Sequence, residues 1–232
     1  MGTDIHMLAE RRIKGKWEMV KDHVFPNPYY DDGNEDDNNT KYTNIPYSNR
    51  NYDLFAILAN VRNGTWGEYF NPISAPKGYP LDLDPDAQKD LYYTADYTDD
   101  LPHLSVQHSA SYLTLKELLD YDWVSQSHRA FGYVTEDDYK YCIKRGLLPP
   151  SWCGGVSGYD IKTVSASEME AILLDPSLRE PSIRYYVGCH FPAESYADAA
   201  GSFYTTTIPI LKSLIPEGGT PEDVRIVFDF DS

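Results

Sequence analysis

Two polar residues near the start of the chain, Asp4 and His6, have a spacing that can support chemistry. Residues two apart on an extended strand project from the same face, so this carboxylate and this imidazole would lie side by side. Such a pair can contribute two ligands to a divalent metal ion. The structural alternative is that both side chains are solvated on the polar face of a hairpin strand.

A second polar cluster, His108, Ser109 and Ser111, lies just before a predicted helix. Serine hydroxyls and the backbone amides of a helix start can together hold an anion. Serine side chains also commonly form turns and caps, which is the structural alternative for this cluster.

Cations near His108 are the natural contacts for an anion in so acidic a chain. The candidates are Arg62 with its neighbour Asn63, and Lys77 in a proline-rich loop. Arg62 has a structural alternative as a cation at the end of a helix, where it complements the helix dipole. The predicted ligand site consists of Asp4, His6, Arg62, Asn63, Lys77, His108, Ser109 and Ser111.

A metal site is a separate hypothesis, with Asp4, His6 and His108 as ligands and a divalent metal as the cofactor. Asp229 and Asp231 share one face of the predicted last strand, where they either bind a cation or face water. A bound metal would lower the pKa of a water molecule and make it a nucleophile. The Asp-x-His pair is similar to the opening of calcineurin-like phosphoesterases, although their GD and GNH segments are absent here.

The elements that must position these residues follow from hydrophobic periodicity. Alternation through residues 4–20 around Lys14-Gly15 predicts an antiparallel hairpin. Helical spacing predicts a helix over residues 52–62 that stops at Asn63-Gly64, and Thr114 and Thr135 are predicted to cap two further helices. Residues 26–50 are rich in Pro, Asn, Asp and Gly, which predicts a long, exposed acidic loop.

The C-terminal part of the chain predicts a strand at residues 182–191, a helix near residues 203–214 and a half-buried strand over residues 224–231. Pro209 must lie in the first turns of that helix or kink it. That order allows a parallel pair of strands beside the antiparallel hairpin. We therefore expect the α+β class, with a mixed β-sheet, packed helices and long irregular loops in a single domain spanning residues 1–232.

Charge and composition restrict the partners. The formal net charge is −16, which disfavours direct binding to nucleic acid or to anionic lipid and favours a basic protein partner. The three cysteines form no CxxC pair, and no apolar run is long enough to span a membrane. Together with the charged N-terminal segment, these features predict a cytoplasmic protein.

Several segments resemble a group of small uncharacterised proteins from bacteriophages and some bacteria. They are DIHM, YDLFAILANVRNG, PISAPKGYP, HSASYLTLKEL and VRIVFDFDS. The resemblance implies an accessory protein of the bacterial cytoplasm and assigns no catalytic residue.

Three hypotheses about function follow. The first is an accessory binding protein that sequesters a small anionic ligand, such as a nucleotide, or blocks a host defence protein. The second is the metal-dependent hydrolase or phosphoesterase built on Asp4, His6 and His108. The third is an acidic protein that mimics nucleic acid. The first is favoured because no catalytic motif is complete, so the sequence leans away from an enzyme.

Overall fold

The computed structural model describes residues 2–34, 39–93 and 107–231, and their contacts divide the chain into two compact units. Unit 1 comprises Met1–Arg62, Asn71–Trp123 and Ala197–Ser232, and unit 2 comprises Asn63–Phe70 and Val124–Tyr196.

The strands are β1 (Asp4–Ile13), β2 (Lys16–Met19), β3 (Phe25–Pro26), β4 (Tyr42–Thr43), β5 (His108–Thr114), β6 (Ser127–His128), β7 (Phe131–Thr135), β8 (Ile161–Ser165), β9 (Arg184–His190), β10 (Glu194–Ser195) and β11 (Val224–Asp231). The helices are α1 (Tyr52–Ala59), α2 (Pro85–Tyr93), α3 (Leu115–Asp120), α4 (Glu136–Tyr141), α5 (Ala166–Leu174), α6 (Tyr196–Ala200) and α7 (Ile208–Ser213).

Unit 1 is built on an antiparallel sheet with the strand order β2-β1-β11-β5. The predicted hairpin of β1 and β2 is confirmed. Its two-residue turn places Lys14 at φ 49° and Gly15 at φ 82°. Positive φ at both central positions gives a turn whose twist matches that of the flanking strands.

The last strand, β11, is central and buried on both faces, so the prediction of a half-buried strand is wrong. On one face, Phe55 of α1 packs against Phe230 with ring centroids 5.0 Å apart. On the other face, Ala87 and Leu91 of α2 pack with Val227. Arg225 and Asp229 on that second face are therefore buried too, although their alternation suggested contact with water.

Helix α1 begins as predicted but ends earlier. The side chain of Asn51 accepts a hydrogen bond from the backbone N–H of Leu54 and caps the start. Asn60 then adopts the left-handed conformation, with φ 60°, and its N–H bonds back to the last turn. Asparagine tolerates this conformation better than most residues, so the helix stops at Ala59 and not at Arg62.

Unit 2 contains a mixed sheet with the order β7-β9-β8, in which β7 and β9 are antiparallel and β8 and β9 are parallel. The parallel pair therefore joins β9 to β8 through α5, and not β9 to the last strand. Val134, Met169 and Val187 lie in the core of this unit. The α+β class with mixed pairing is confirmed, and the single domain stays a prediction.

The smaller elements largely follow the sequence. Thr114 and Thr135 cap α3 and α4, as predicted. Pro209 lies in the first turn of α7, which continues from a π-helical segment at Phe203–Thr207. The acidic loop at 26–50 contains the short β3–β4 pair, and its residues 35–38 lie outside the described part. Among the described residues, no helix has the length and apolar character that crossing a bilayer requires.

Candidate functional site

Asp229 is a completely buried carboxyl group directly across from His6 in the pairing of β1 with β11. Its Oδ2 accepts a hydrogen bond from the hydroxyl of Tyr79. Its Oδ1 has no hydrogen-bond partner among the described residues. Burial raises the pKa of Asp229, and the Tyr79 hydrogen bond opposes this only in part. The interpretation that Asp229 faces water is therefore wrong.

A β-bulge lies opposite this carboxyl group. The pairing of β5 with β11 shifts between Phe228 and Phe230, so Ser109 and Ala110 together oppose Asp229. Ser109 adopts a left-handed conformation with φ 56°, which is uncommon for serine. Bulges bend a strand locally and change the direction of its side chains. This bulge sets the course of β5 beside the buried carboxyl group.

His108 and Ser109 lie together at the bulge, in agreement with their grouping in the sequence. Nδ1 of His108 is 2.9 Å from Oγ of Ser109, and the His108 ring stacks on Phe230 with centroids 6.1 Å apart. Positive charge on His108 or on His6 favours the ionised form of Asp229 and lowers its pKa. Both imidazoles are thus within electrostatic reach of the same carboxyl group.

His6 is held by the last residue of β11. Its Nε2 lies 3.1 Å from Oδ2 of Asp231. The other oxygen of Asp231, Oδ1, accepts a hydrogen bond of 3.2 Å from the backbone N–H of Asp4. An ionised carboxylate only accepts hydrogen bonds, so Nε2 of His6 carries the proton in this pair. In a neutral His6, Nδ1 is then a hydrogen-bond acceptor.

Asp4 is engaged by an arginine and not by a shared site with His6. Both of its carboxylate oxygens bind the Arg50 guanidinium, with N–O distances of 2.8 and 2.5 Å. This hydrogen-bonded pair lowers the pKa of Asp4. A bidentate contact of this kind fixes the direction of both side chains. The ion pair of Asp4 with Arg50 therefore lies at one end of the cluster that is formed by Asp229, His6, His108 and Asp231.

A pocket of about 290 Å³ lies next to His6, along the outer edge of β1. Most of its walls are apolar, while a histidine, an amide, a hydroxyl and a carboxylate supply polar atoms. Small-molecule sites in proteins commonly combine apolar walls with a few converging polar groups. The pocket is lined by Ile5, His6, Met7, Leu8, Met19, Asn44, Ile45, Ser48, Asp90 and Leu91.

The predicted anion contacts have partners within the protein. Nε of Arg62 donates a 2.8 Å hydrogen bond to Oγ1 of Thr3, and its guanidinium lies over the ring of Tyr52 at 5.9 Å. Asn63 belongs to unit 2, where its side chain accepts from the N–H of Phe70 and donates to the Phe70 carbonyl. The two neighbours in sequence therefore have separate structural roles.

Lys77 and Ser111 also act within the fold. The ammonium group of Lys77 bonds to Glu117 at 2.5 Å and lies 4.9 Å from the centre of the Tyr112 ring. The buried hydroxyl of Ser111 accepts a 3.2 Å hydrogen bond from the backbone N–H of Lys77. The structure thus joins Lys77 to Ser111, as a link between a loop and β5.

Among the described residues, no three His, Cys, Asp or Glu side chains are arranged to hold a metal ion. Asp4 is paired with Arg50, and His6 with Asp231. The proposed set of Asp4, His6 and His108 accordingly gains no support from this part of the chain.

Three residues of the cluster were not identified from the sequence. Arg50 ends the acidic loop, Tyr79 follows a proline-rich stretch, and Asp90 lies on α2. They reach the site through long-range contacts, such as the 46 residues that separate Arg50 from Asp4. Such contacts leave no periodic signal in the sequence that would mark any of the three residues.

Comparisons with family models, with curated proteins and with solved structures found no match to this chain.

Proposed function

We propose that this protein is a binding protein, and that unit 1 takes up a positively charged hydrogen-bond donor, an amine or a guanidinium, in the pocket beside His6. The observation that carries this proposal is the chemistry of the pocket lining. Its lining combines apolar side chains with four polar residues, Asp90, His6, Asn44 and Ser48. These groups offer mainly acceptors when His6 is neutral and directs its Nε2 proton to Asp231.

The charge around the pocket supports a cation more than the anion expected from the sequence. Unit 1 contains 26 of the 36 acidic residues but only 13 of the 20 basic ones. Arg50, a cation at one end of β1, is paired with Asp4. A phosphate or nucleotide would be repelled by Asp90 and Asp231, whereas an amine or guanidinium would be attracted. A basic partner protein, as the composition suggested, would carry such groups.

Binding is favoured over catalysis because Asp229, the carboxyl group of this cluster whose pKa burial raises, is fully buried. A general acid must come within hydrogen-bond reach of the substrate atom that it protonates. Asp229 reaches only Tyr79 among the described residues. An accessory role in a bacterial cell, as the resemblance to phage proteins implies, fits a binding protein of this kind.

The proposal is tested with three small probes of matched size: n-butylammonium, n-propylguanidinium and butyrate. Amide chemical shifts of the full chain are followed by NMR during each titration. We expect the two cations to shift the amides of residues 5–8 and 44–48, and butyrate to leave them unchanged. Equal responses to butyrate and the cations, or no response to either cation, would overturn the proposal.

A pocket-filling substitution localises the effect. Ser48→Phe places a ring in the pocket and is expected to abolish the response to both cations. Ser213→Phe adds the same ring on the exposed side of α7 and should leave the response intact. If both variants respond like the original protein, the cations bind elsewhere.

A further inference from the structure

Strand β1 has an open edge along its first half. β11 pairs with β1 from Asp4 to Arg11, whereas β2 pairs only with Glu10 to Ile13 on the other side. Within the described residues, no strand pairs with the outer edge of β1 before Glu10. The pocket beside His6 lies along this edge, because four consecutive residues of β1 line it.

The register fixes which main-chain groups point toward the open edge. In a hairpin with a two-residue turn, the residues flanking the turn exchange hydrogen bonds, which places the N–H and C=O of Ile13 toward β2. The 2.9 Å hydrogen bond from the N–H of Val20 to the carbonyl of Ala9 confirms the same direction four residues earlier. Alternate residues share this direction, so Ile5 and Met7 direct their N–H and C=O groups outward.

Among the described residues, no backbone hydrogen bond from a loop, a turn or a cap engages these outward groups. Ile5 and Met7 line the pocket and are each only 4% exposed, so a pairing strand would reach their backbone only through the pocket. Two residues spaced two apart along a strand lie about 6.8 Å from each other. The register therefore places two donors and two acceptors on the outer edge of β1 beside the pocket, at the repeat distance of a β-ladder.

We propose that the occupant of this pocket is an extended segment of a basic partner protein, which adds to the sheet as a short strand beside β1. This inference rests on the proposed function and identifies its ligand: the amine or guanidinium is the side chain of a Lys or Arg within that segment. Strand addition supplies main-chain hydrogen bonds for affinity, and pockets beside the edge select side chains.

The charge distribution selects this occupant over a second copy of the chain. Two copies, each with a formal net charge of −16, repel one another, and edge-to-edge pairing would bring their acidic ends together. A Lys or Arg segment instead meets the acidic side chain of Asp90. The site is short, because the Asp4–Arg50 ion pair lies at one end of the edge and β2 begins at the other.

The test uses the full chain and the peptide acetyl-Thr-Val-Thr-Lys-Thr-Val-Thr-amide, with binding measured by calorimetry. Two derivatives carry two N-methyl groups each, one at both Val residues and the other at the two inner Thr residues. Only one of these sets can face β1, since amides alternate in direction along a strand. We expect one derivative to lose about tenfold or more in affinity and the other to stay within about twofold of the parent.

Replacement of the peptide's Lys by norleucine keeps the chain length and removes the charge, and it is expected to weaken binding to a similar degree. Equal affinities of the two N-methylated derivatives would overturn strand addition. If the derivatives are equal while butylammonium still shifts the pocket amides, the proposed function survives without this inference. If neither the peptide nor the small cations bind, both proposals fail.

Discussion

Asp229 combines three properties that rarely occur together in one side chain. It is fully buried, one of its oxygens has no hydrogen-bond partner among the described residues, and it lies opposite a β-bulge. A buried carboxyl group is costly when ionised unless its charge is compensated. Tyr79 supplies one hydrogen bond, while His6 and His108 supply only electrostatic support. The group is therefore most compatible with the fold when it is protonated.

This argument predicts how Asp229→Asn changes stability with pH. As pH rises above the ordinary aspartate pKa of 3.8, the unfolded chain loses its proton while the folded chain keeps it. The free energy of unfolding of the native sequence therefore falls with rising pH until Asp229 ionises in the folded state too. Asparagine does not ionise, so the variant gains about 1.4 kcal/mol relative to the native sequence for each unit of raised pKa.

Urea unfolding at pH 4 and pH 7.5 measures this difference. We expect the stability of the variant relative to the native sequence to be greater at pH 7.5. Asp175→Asn is the contrasting control, because hydrogen bonds from Ser177 lower the pKa of Asp175. Its relative stability should move in the opposite direction, mostly below pH 4, because the lowered pKa of Asp175 lies under the ordinary value of 3.8. A pH-independent difference for Asp229→Asn would contradict the raised pKa.

At the level of elements, a buried ion pair ties three segments of unit 1 together. Nε of Arg225 in β11 donates to Glu10 in β1 at 2.6 Å, and its Nη1 donates to Asp82 at 2.8 Å. Trp17 of β2 covers the guanidinium at 4.0 Å. Arg225 and Glu10 have almost no exposed side-chain surface, and burial raises the pKa of Glu10. The pair fixes the register of β1 and β11, which also places His6 opposite Asp229.

Arg225→Met is expected to destabilise the protein by roughly 3 to 5 kcal/mol, because it leaves the Glu10 carboxylate buried without its cation. The double variant Glu10→Gln with Arg225→Met should recover part of that loss, since Gln can still accept from the backbone N–H of Asp84. Urea unfolding of both variants measures the two effects. Arg12→Met removes an exposed ion pair with Asp223 and should cost at most about 1 kcal/mol. Similar losses for Arg12→Met and Arg225→Met would contradict the role of burial.

Local signals made several elements predictable, and long-range contacts explain the rest. The hairpin turn at Lys14-Gly15 and the caps at Thr114 and Thr135 depend on neighbouring residues, so the sequence was sufficient for them. The burial of Asp229 was not predictable, because α2 covers a strand face that alternation alone suggests is polar.

The candidate site shows the same division between local and long-range information. The sequence grouped His108 with Ser109, and the two are in contact, whereas the contact of His6 with Asp231 depends on the pairing of β1 with β11. The engagement of Asp4 by Arg50 and of Arg62 by Thr3 depends on contacts across 46 and 59 residues. Such contacts leave no periodic signal. For this reason, some of the residues that the sequence suggested as ligand contacts are already bonded to other residues within the fold.

At the level of the whole molecule, the charge is distributed unevenly between the two units. Unit 1 has 13 more acidic than basic residues, whereas unit 2 has only 3 more. Unit 1 also contains the pocket and the open edge of β1. A long-range negative field around this unit attracts basic partners before any specific contact forms. The field does not by itself distinguish one bound Lys from a broad basic surface.

Salt dependence makes that distinction. Raising NaCl from 0.1 to 1 M lowers the screening length from about 10 to about 3 Å. If one Lys or Arg side chain is held in a partly enclosed pocket, this change should weaken binding of the Lys peptide by about tenfold or less. A protein that mimics nucleic acid would instead use many exposed acids, and its affinity for a basic partner would fall steeply over the same range. Calorimetry at four salt concentrations gives the slope, and the norleucine peptide, which has no charge to screen, should show almost none. A steep slope for the Lys peptide would favour the broad acidic surface over the pocket beside His6, because exposed charges are screened much more strongly than enclosed ones.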